Sequence, residues 1–357
     1  MICVGFDTSN YTSSVACFDG VGGENVSRLL PVKAGELGLR QSEALFSHIK
    51  RLPELSDRLF AHLDPGEIKA IGVSTRPRAV EGSYMPCFLA GECQARVLAA
   101  AMHVPVYEFS HQQGHIAAVL WSAGRLDLLG SDFLAWHLSG GTTELLYVQS
   151  TPSGDIECRR IGGTTDISAG QLIDRTGQLL GLDFPSGKAL DSLSSQMSAG
   201  DERQGSRIKD QGSGEPGRGA LDAHAYQVCH SERSEESAFP VPKAPDWFRV
   251  KVNGTEFSLS GVQNQVQAFR EKGATGPETA YFALRSVVEA VKKATKNANK
   301  ERDLPVLFSG GVAANSLLRR LIPDAVYGEP RYSTDNAMGV AVLTWLKLRD
   351  QEFGIRG

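Results

Sequence analysis

The residue pattern predicts an α/β fold built twice, as two lobes with a cleft between them. Three observations carry that prediction. An apolar strand, a short turn of small hydroxyl residues and a second apolar strand occur first at Ile2 to Phe18 and again at Phe133 to Val148. Between and after these figures, short buried-strand patterns alternate with segments of helical periodicity, as α/β layers require. A third strand end of the same kind, Leu304 to Phe308, runs through Ser309-Gly310-Gly311-Val312-Ala313-Ala314-Asn315 into a helix reaching Leu321.

In chain order, Ile2 to Phe6 and Ser13 to Phe18 read as a hairpin whose turn, Asp7-Thr8-Ser9-Asn10, holds a carboxylate and hydroxyls. From Gln41 to Phe60 apolar residues recur at helical spacing, with Leu45, Ile49, Leu52, Leu55 and Leu59 near one stripe. A strand at Ala70 to Val73 leads into Ser74-Thr75-Arg76-Pro77-Arg78. Phe88 to Met102 reads as an Ala-rich helix and Val104 to Tyr107 as a strand. Ser110 with Gln113 three places on has the form of a capping box, so a helix starts there. After the second hairpin, Ala169 to Leu180 reads as a helix stopped by Gly181, and Ser333-Thr334-Asp335-Asn336 precedes a last apolar helix, Ala337 to Leu348. The lobes are expected at 1–108 and 131–332, joined by a helix and connection at 109–130, with 333–357 returning to the first lobe. The stretch from about Ala199 to Ala244 is rich in Gly, Ser, Glu and Arg and shows neither period, the pattern of a disordered insertion; His224, Cys229 and His230 within it lack a supporting core.

At 357 residues the chain is long enough for two ordinary domains. A formal net charge of −4 excludes nucleic-acid binding driven by bulk charge and leaves local patches, such as Lys292, Lys293, Lys296, Lys300 and Arg302, then Arg319 and Arg320. The six cysteines form no C-x-x-C pair. With no secretory or membrane-spanning apolar run, reduced thiols, a cytoplasmic setting and no membrane partner are expected.

His111 and His115 share a helical face and could hold one divalent metal if a third ligand arrives from elsewhere; Asp335 would complete a two-His-one-carboxylate site or simply cap its helix. The metallopeptidase motif would need Glu directly after the first His, where this chain has Gln112. The turns Asp7 to Asn10, Ser139 to Thr143 and Ser309 to Asn315 combine Gly and hydroxyl groups at strand ends. Spaced over two repeated halves, they fit the phosphate and adenosine loops of an actin-like (ASKHA) nucleotide-binding fold.

Together these motifs resemble the tRNA N6-adenosine threonylcarbamoyltransferases, once labelled O-sialoglycoprotein endopeptidases. The family's metal positions match His111, His115 and Asp335, and its nucleotide loop matches Leu138, Ser139, Gly140, Gly141 and Thr142. Its substrate-binding Asp, with the Leu-Gly-Leu and Pro-x-Gly turns that follow, matches Asp174, Leu180-Gly181-Leu182 and Pro185-Ser186-Gly187. Its Phe-Ser-x-Ser-Gly element matches Phe257 to Gly261, and its adenosine loop matches Gly310, Gly311 and Asn315. The resemblance implies one iron or zinc ion and a bound ATP- or AMP-type nucleotide or threonylcarbamoyl-AMP. The nucleotide would also contact Ser9, with Asp7 and Asp174 as the catalytic carboxylates. The implied reaction transfers the threonylcarbamoyl group to N6 of the adenosine beside the tRNA anticodon, with tRNA and the protein subunits of a threonylcarbamoylation complex as partners.

The chain also departs from the family pattern. Asp7 stands for Glu, Asn10-Tyr11 for a Cys-Asp pair, Arg76-Pro77-Arg78 for a Gly-Pro-Gly loop and Gln113 for a Glu. Thr142 stands for a loop His, and Gly163, Ile167 and Gln171 for acidic residues. These changes remove charge and proton-accepting capacity. They leave open a divergent paralogue that binds ATP and metal as a small-molecule carbamoyltransferase or ATPase, or as a non-catalytic partner of a tRNA-modification complex.

Overall fold

The computed structural model describes residues 1–9, 11–31, 39–151, 155–197 and 250–352. The 199–244 stretch, with His224, Cys229 and His230, and the Asn10 substitution lie outside them.

Two mixed sheets form the framework. The first has the order β3-β2-β1-β4-β5, with β1 (Ile2–Asp7), β2 (Thr12–Phe18) and β3 (Gly23–Leu29) an antiparallel meander. Strands β4 (Ile68–Arg76) and β5 (Val106–Ser110) follow parallel to β1. The second sheet repeats this plan in β8-β7-β6-β11-β12. The meander is β6 (Phe133–Leu138), β7 (Thr143–Ser150) and β8 (Ile156–Thr164), and β11 (Val306–Ser309) and β12 (Val326–Tyr327) run parallel to β6. A small β9 (Val252–Asn253) and β10 (Glu256–Phe257) extend it beyond β8. The same five-strand order in both lobes is the duplication that the repeated hairpin predicts, and the fold is an actin-like α/β fold.

Helix α1 (Gln41–Phe60) has the predicted bounds, but its buried stripe runs through Ala44, His48, Leu52, Leu55 and Leu59. Ile49, placed near the stripe from its apolar character, is 54% exposed, because it sits about 100° round the helix from His48. Helix α2 (Phe88–Met102) covers the same lobe. The second lobe is covered by α4 (Ala169–Leu179), helical residues 187–197 (α5), α6 (Ser260–Glu271), α7 (Gly276–Ala298) and α8 (Ser316–Leu321). Its core holds Trp136, Phe257, Phe282 and Phe308.

Two helices lie between the sheets. In α3 (His111–Ser122), Ile116, Val119 and Leu120 pack with Phe133, Leu146 and Leu307 of the second sheet and with Val340 and Leu343 of α9 (Met338–Glu352). On the other side Ala118 joins Met338 and Ala341 of α9 and Ala16 and Phe18 of β2. The helices touch almost backbone to backbone: a Cβ on Gly339 would lie 2.7 Å from Ala118 N and closer still to the Gly114 carbonyl oxygen. Only Gly permits this approach.

Candidate active site: a His-His-Asp triad beside two glycine loops

Helix α3 begins as its sequence requires. The Ser110 hydroxyl accepts the Gln113 N–H at 3.2 Å, and Gln113 Oε1 accepts the Ser110 N–H at 2.7 Å, closing both arms of the capping box. The Gln113 Nε2 amide donates to the Ile156 carbonyl at 2.9 Å. A carboxylate has no hydrogen for that bond, so Gln here is a buried structural residue linking α3 to β8. Its departure from the family Glu thus has a packing reason.

The first turn of α3 presents His111 and His115, with ring centroids 4.3 Å apart. Asp335, in the turn before α9, reaches both: its Oδ1 lies 3.4 Å from His111 Nε2 and 3.1 Å from His115 Nε2. Asp335 does not cap α9. Asn336 does, accepting the Met338 N–H at 3.0 Å, while Ser14 and Asn25 accept the Ala337 N–H. The other face of His111 is fixed by Asp7, whose Oδ2 lies 2.8 Å from Nδ1 and whose Oδ1 accepts the Ser9 N–H. Asp7 is 1% exposed, so it acts on the site through His111.

This arrangement is short of positive charge. Asp7 can only accept, so the first proton of His111 belongs on Nδ1, and its Nε2 lone pair then faces an Asp335 oxygen. Two lone pairs at such a distance repel until a proton or a metal ion lies between them. Burial by itself would lower the pKa of His111, but the carboxylates of Asp7 and Asp335 outweigh it and push it up to about 10. Asp335, which burial alone would raise, is held well below the usual carboxylate range by both histidines. The 3.1 and 3.4 Å separations match the roughly 3.3 Å edge of a tetrahedron around an ion bonded at about 2.0 Å. Among the described residues, these three are the group able to hold a metal ion.

A third imidazole, not foreseen from the sequence, completes the cluster. His137 on β6 lies 5.2 Å from the His115 ring and 3.2 Å through Nδ1 from the Ser309 hydroxyl. Burial, then the neighbouring His115 and His111, push it down to about 3, so it stays neutral. Its signal was a polar residue inside the apolar run Phe133 to Leu138.

The glycine loops lie at the ends of the adjacent strands β6 and β11. Ser139 to Thr142 forms a turn closed by Ser139 N–H to Thr142 O at 2.8 Å and Thr142 N–H to Ser139 Oγ at 3.0 Å. The amides of Gly140 and Gly141 take no part in these bonds, and both residues are exposed with open space at the Cβ position. Gly310 (φ 89°) crosses Leu138 so closely that a Cβ would lie 2.6 Å from the Leu138 carbonyl carbon.

Other expected contacts are engaged within the protein. The first amides of α4 are taken by Thr143, Ser139 and Ser168. Asn315 caps α8, and Asp191 binds both the Asn315 amide and the Ser316 N–H, so the helix start after the third turn has its donors occupied rather than turned to an anion. Asp174 accepts the Ser186 N–H at 2.9 Å, next to Gly187 at the start of α5. Ser9 is 2% exposed, with no partner for its hydroxyl. Of the basic cluster, Lys293 binds the Val250 carbonyl, Arg302 the Tyr147 hydroxyl, and Arg319 the Ala313 and Gly328 carbonyls. Lys292 and Lys296 stand exposed on α7, and Lys300 is exposed just beyond its end.

A sequence profile of the tRNA N6-adenosine threonylcarbamoyltransferase family matches residues 37–213. The enzyme of that name from Carboxydothermus hydrogenoformans is 30% identical over 307 residues, covering 82% of this chain and 75% of its own. That from Thermus thermophilus is 29% identical over 310 residues, covering 84% and 77%. A solved full-length HypF, in a phosphate- and nucleotide-bound form, superposes with a TM-score of 0.54 at 13% identity over 98% of this chain and 46% of HypF, which supports the fold alone. No helix among the described residues is long and apolar enough to cross a membrane. With the repeated lobes, the triad and these relatives in agreement, the chain belongs to the tRNA N6-adenosine threonylcarbamoyltransferase family of transferases.

Proposed function

We propose that this chain transfers a threonylcarbamoyl group from threonylcarbamoyl-AMP to N6 of the adenosine next to the tRNA anticodon. It would do so with one iron or zinc ion, in the cytoplasm, together with protein partners of a threonylcarbamoylation complex. The observation that carries the reading is the convergence of His111, His115 and Asp335 in a chain of this family. Among the described residues the thiols of Cys3, Cys17, Cys87, Cys93 and Cys158 are free, which suits a reducing compartment.

In this reading Nε2 of both histidines and the Asp335 carboxylate hold the ion. Asp7 keeps the His111 proton on Nδ1 and so keeps Nε2 available as a ligand. Bound there, the ion supplies Lewis-acid polarisation of a carbamoyl or phosphate oxygen. The Gly140 and Gly141 amides receive phosphate oxygens, and Gly310 and Gly311 let the backbone lie against the nucleoside. Asp174 orients the nucleotide side of the cleft through the Ser186 to Gly187 turn. Neutral His137 and Ser309 line the ground between ion and loops and can pass or hold a hydrogen bond without adding charge. The acceptor N6 attacks the carbamoyl carbon directly and AMP leaves, so no enzyme nucleophile is needed.

The test is incubation of the chain and its partner subunits with threonine, bicarbonate, ATP and unmodified tRNA. Modified adenosine that disappears with His111→Ala supports the proposal, and its absence under conditions where a relative works refutes it. A second reading, a paralogue acting on a small carbamoyl acceptor or supporting another subunit, is favoured by the charged Arg76-Pro77-Arg78 loop at the cleft. Rescue of a strain lacking the modification enzyme by this chain alone would rule that out.

A further inference from the structure

Arg76 and Arg78 flank Pro77 in the loop from β4 to α2, and their surroundings differ. Arg78 donates to both carboxylate oxygens of Glu144 at 2.7 and 2.8 Å, across the cleft, and its N–H is held by Ser83 Oγ. Arg76 is half-buried, yet its side chain has no hydrogen bond or ion pair with any described residue. None of its nitrogens is a buried atom without a partner, so the guanidinium fork is reachable from solvent, uncommitted to any described residue and available to an oxyanion.

Its backbone sits beside the triad. Arg76 ends β4 in register with Ser110, one residue before His111, and the Pro77 carbonyl accepts the Gln112 N–H at 3.1 Å. At the same edge of the sheet, Ser9 Oγ and Thr75 Oγ1 are buried polar atoms that also lack partners. Arg76 also lines, with Ala79, Val80, Glu81, Gly82, Ser83 and Tyr84, a surface pocket of about 400 Å³.

We propose that Arg76 is a specificity-determining residue that binds an oxyanion of the acyl donor at the edge of the triad. This rests on the transfer reading above, whose donor carries both a threonyl carboxylate and a phosphate, and the guanidinium fork suits either. The experiment is calorimetric titration of the full chain with N-carbamoylthreonine, which has the carboxylate only, and with AMP, which has the phosphate only. The proteins compared are the wild type, Arg76→Gln, Arg76→Lys and, as a surface-charge control, Arg58→Gln. Arg76→Gln weakens at least one probe by about tenfold or more, Arg76→Lys recovers part of the loss, and Arg58→Gln changes neither. The probe affected identifies the oxyanion. A wild type that binds neither probe overturns the proposal, as does a folded Arg76→Gln protein that binds both unchanged. Neither titration involves tRNA or turnover. Arg76-dependent binding without adenosine modification therefore refutes the transfer reading alone, and modification with Arg76-independent binding refutes this inference alone.

Discussion

Replacing Gly339 by Ala tests whether the α3–α9 contact sets the ligand spacing. The new Cβ would lie 2.7 Å from Ala118 N, against a floor of 3.0 Å for real Cβ contacts, and closer still to the Gly114 oxygen. The shortfall is at least 0.3 Å at Ala118 and more at Gly114, both backbone atoms that cannot rotate away. The helices must part, carrying His111 and His115 away from Asp335. Metal sites tolerate only about 0.2 Å of error in ligand distance, so the displacement exceeds what the ion accepts. The overpacking itself costs about 1–3 kcal/mol, which leaves a folded protein. Metal affinity by competition with a chromophoric chelator is expected to fall at least about tenfold, with a parallel drop in thermal midpoint. Gly130→Ala, where a Cβ meets nothing within 4 Å, should change neither. Wild-type metal affinity in Gly339→Ala would refute the view that this contact sets the triad.

Four further outcomes are expected. Asp7→Asn, which removes the carboxylate that orients His111, weakens metal binding about 10- to 100-fold in the same competition assay. Gln113→Glu sets a carboxylate against the Ile156 carbonyl and destabilises the fold by about 1–3 kcal/mol in urea titrations; unchanged stability would mean that the Gln113–Ile156 bond contributes nothing. Glu144→Gln breaks the cross-cleft pair with Arg78; that arginine is 45% exposed, so stability changes by less than about 1 kcal/mol, while the lobe separation measured by paired fluorophores broadens. Burial would raise the Asp166 pKa, but the Ser258 and Ser260 hydroxyls and the Leu259 and Ser260 amides lower it well below the usual range. Its stabilisation is therefore present above the unfolded-state value of about 3.9 and is lost as pH falls toward the folded one, so Asp166→Asn should flatten the stability–pH curve below about pH 4.

The strands and helices around the cleft were legible because each has a local cause. Helix α2 and strand β6 have the predicted bounds, and Ser110 and Gln113 form the predicted capping box. Strand β3 was not foreseen because it is an edge strand with Val26 its one buried residue, which leaves no alternation to read. Helix α7 was not foreseen because Thr279 to Leu284 are all buried, which leaves no single apolar stripe at its start, although Thr275 and Glu278 cap it. At the site, residue types were legible but their engagements were not. Asp191 occupying the start of α8, and Asn336 rather than Asp335 capping α9, depend on partners far away in sequence. His137 was hidden for the same reason, since only the pairing of β6 with β11 brings it to Ser309.

The triad joins a helix near residue 111 to a turn at residue 335, 220 or more positions later. On the ribosome, then, the first lobe and α3 emerge long before their third ligand exists. Until α9 docks, the two histidines are an incomplete chelate of low affinity, with Asp7 already holding one of them. Metal loading is thereby deferred to a nearly complete chain, and any product cut short before Asp335 stays metal-poor whatever the state of its first lobe.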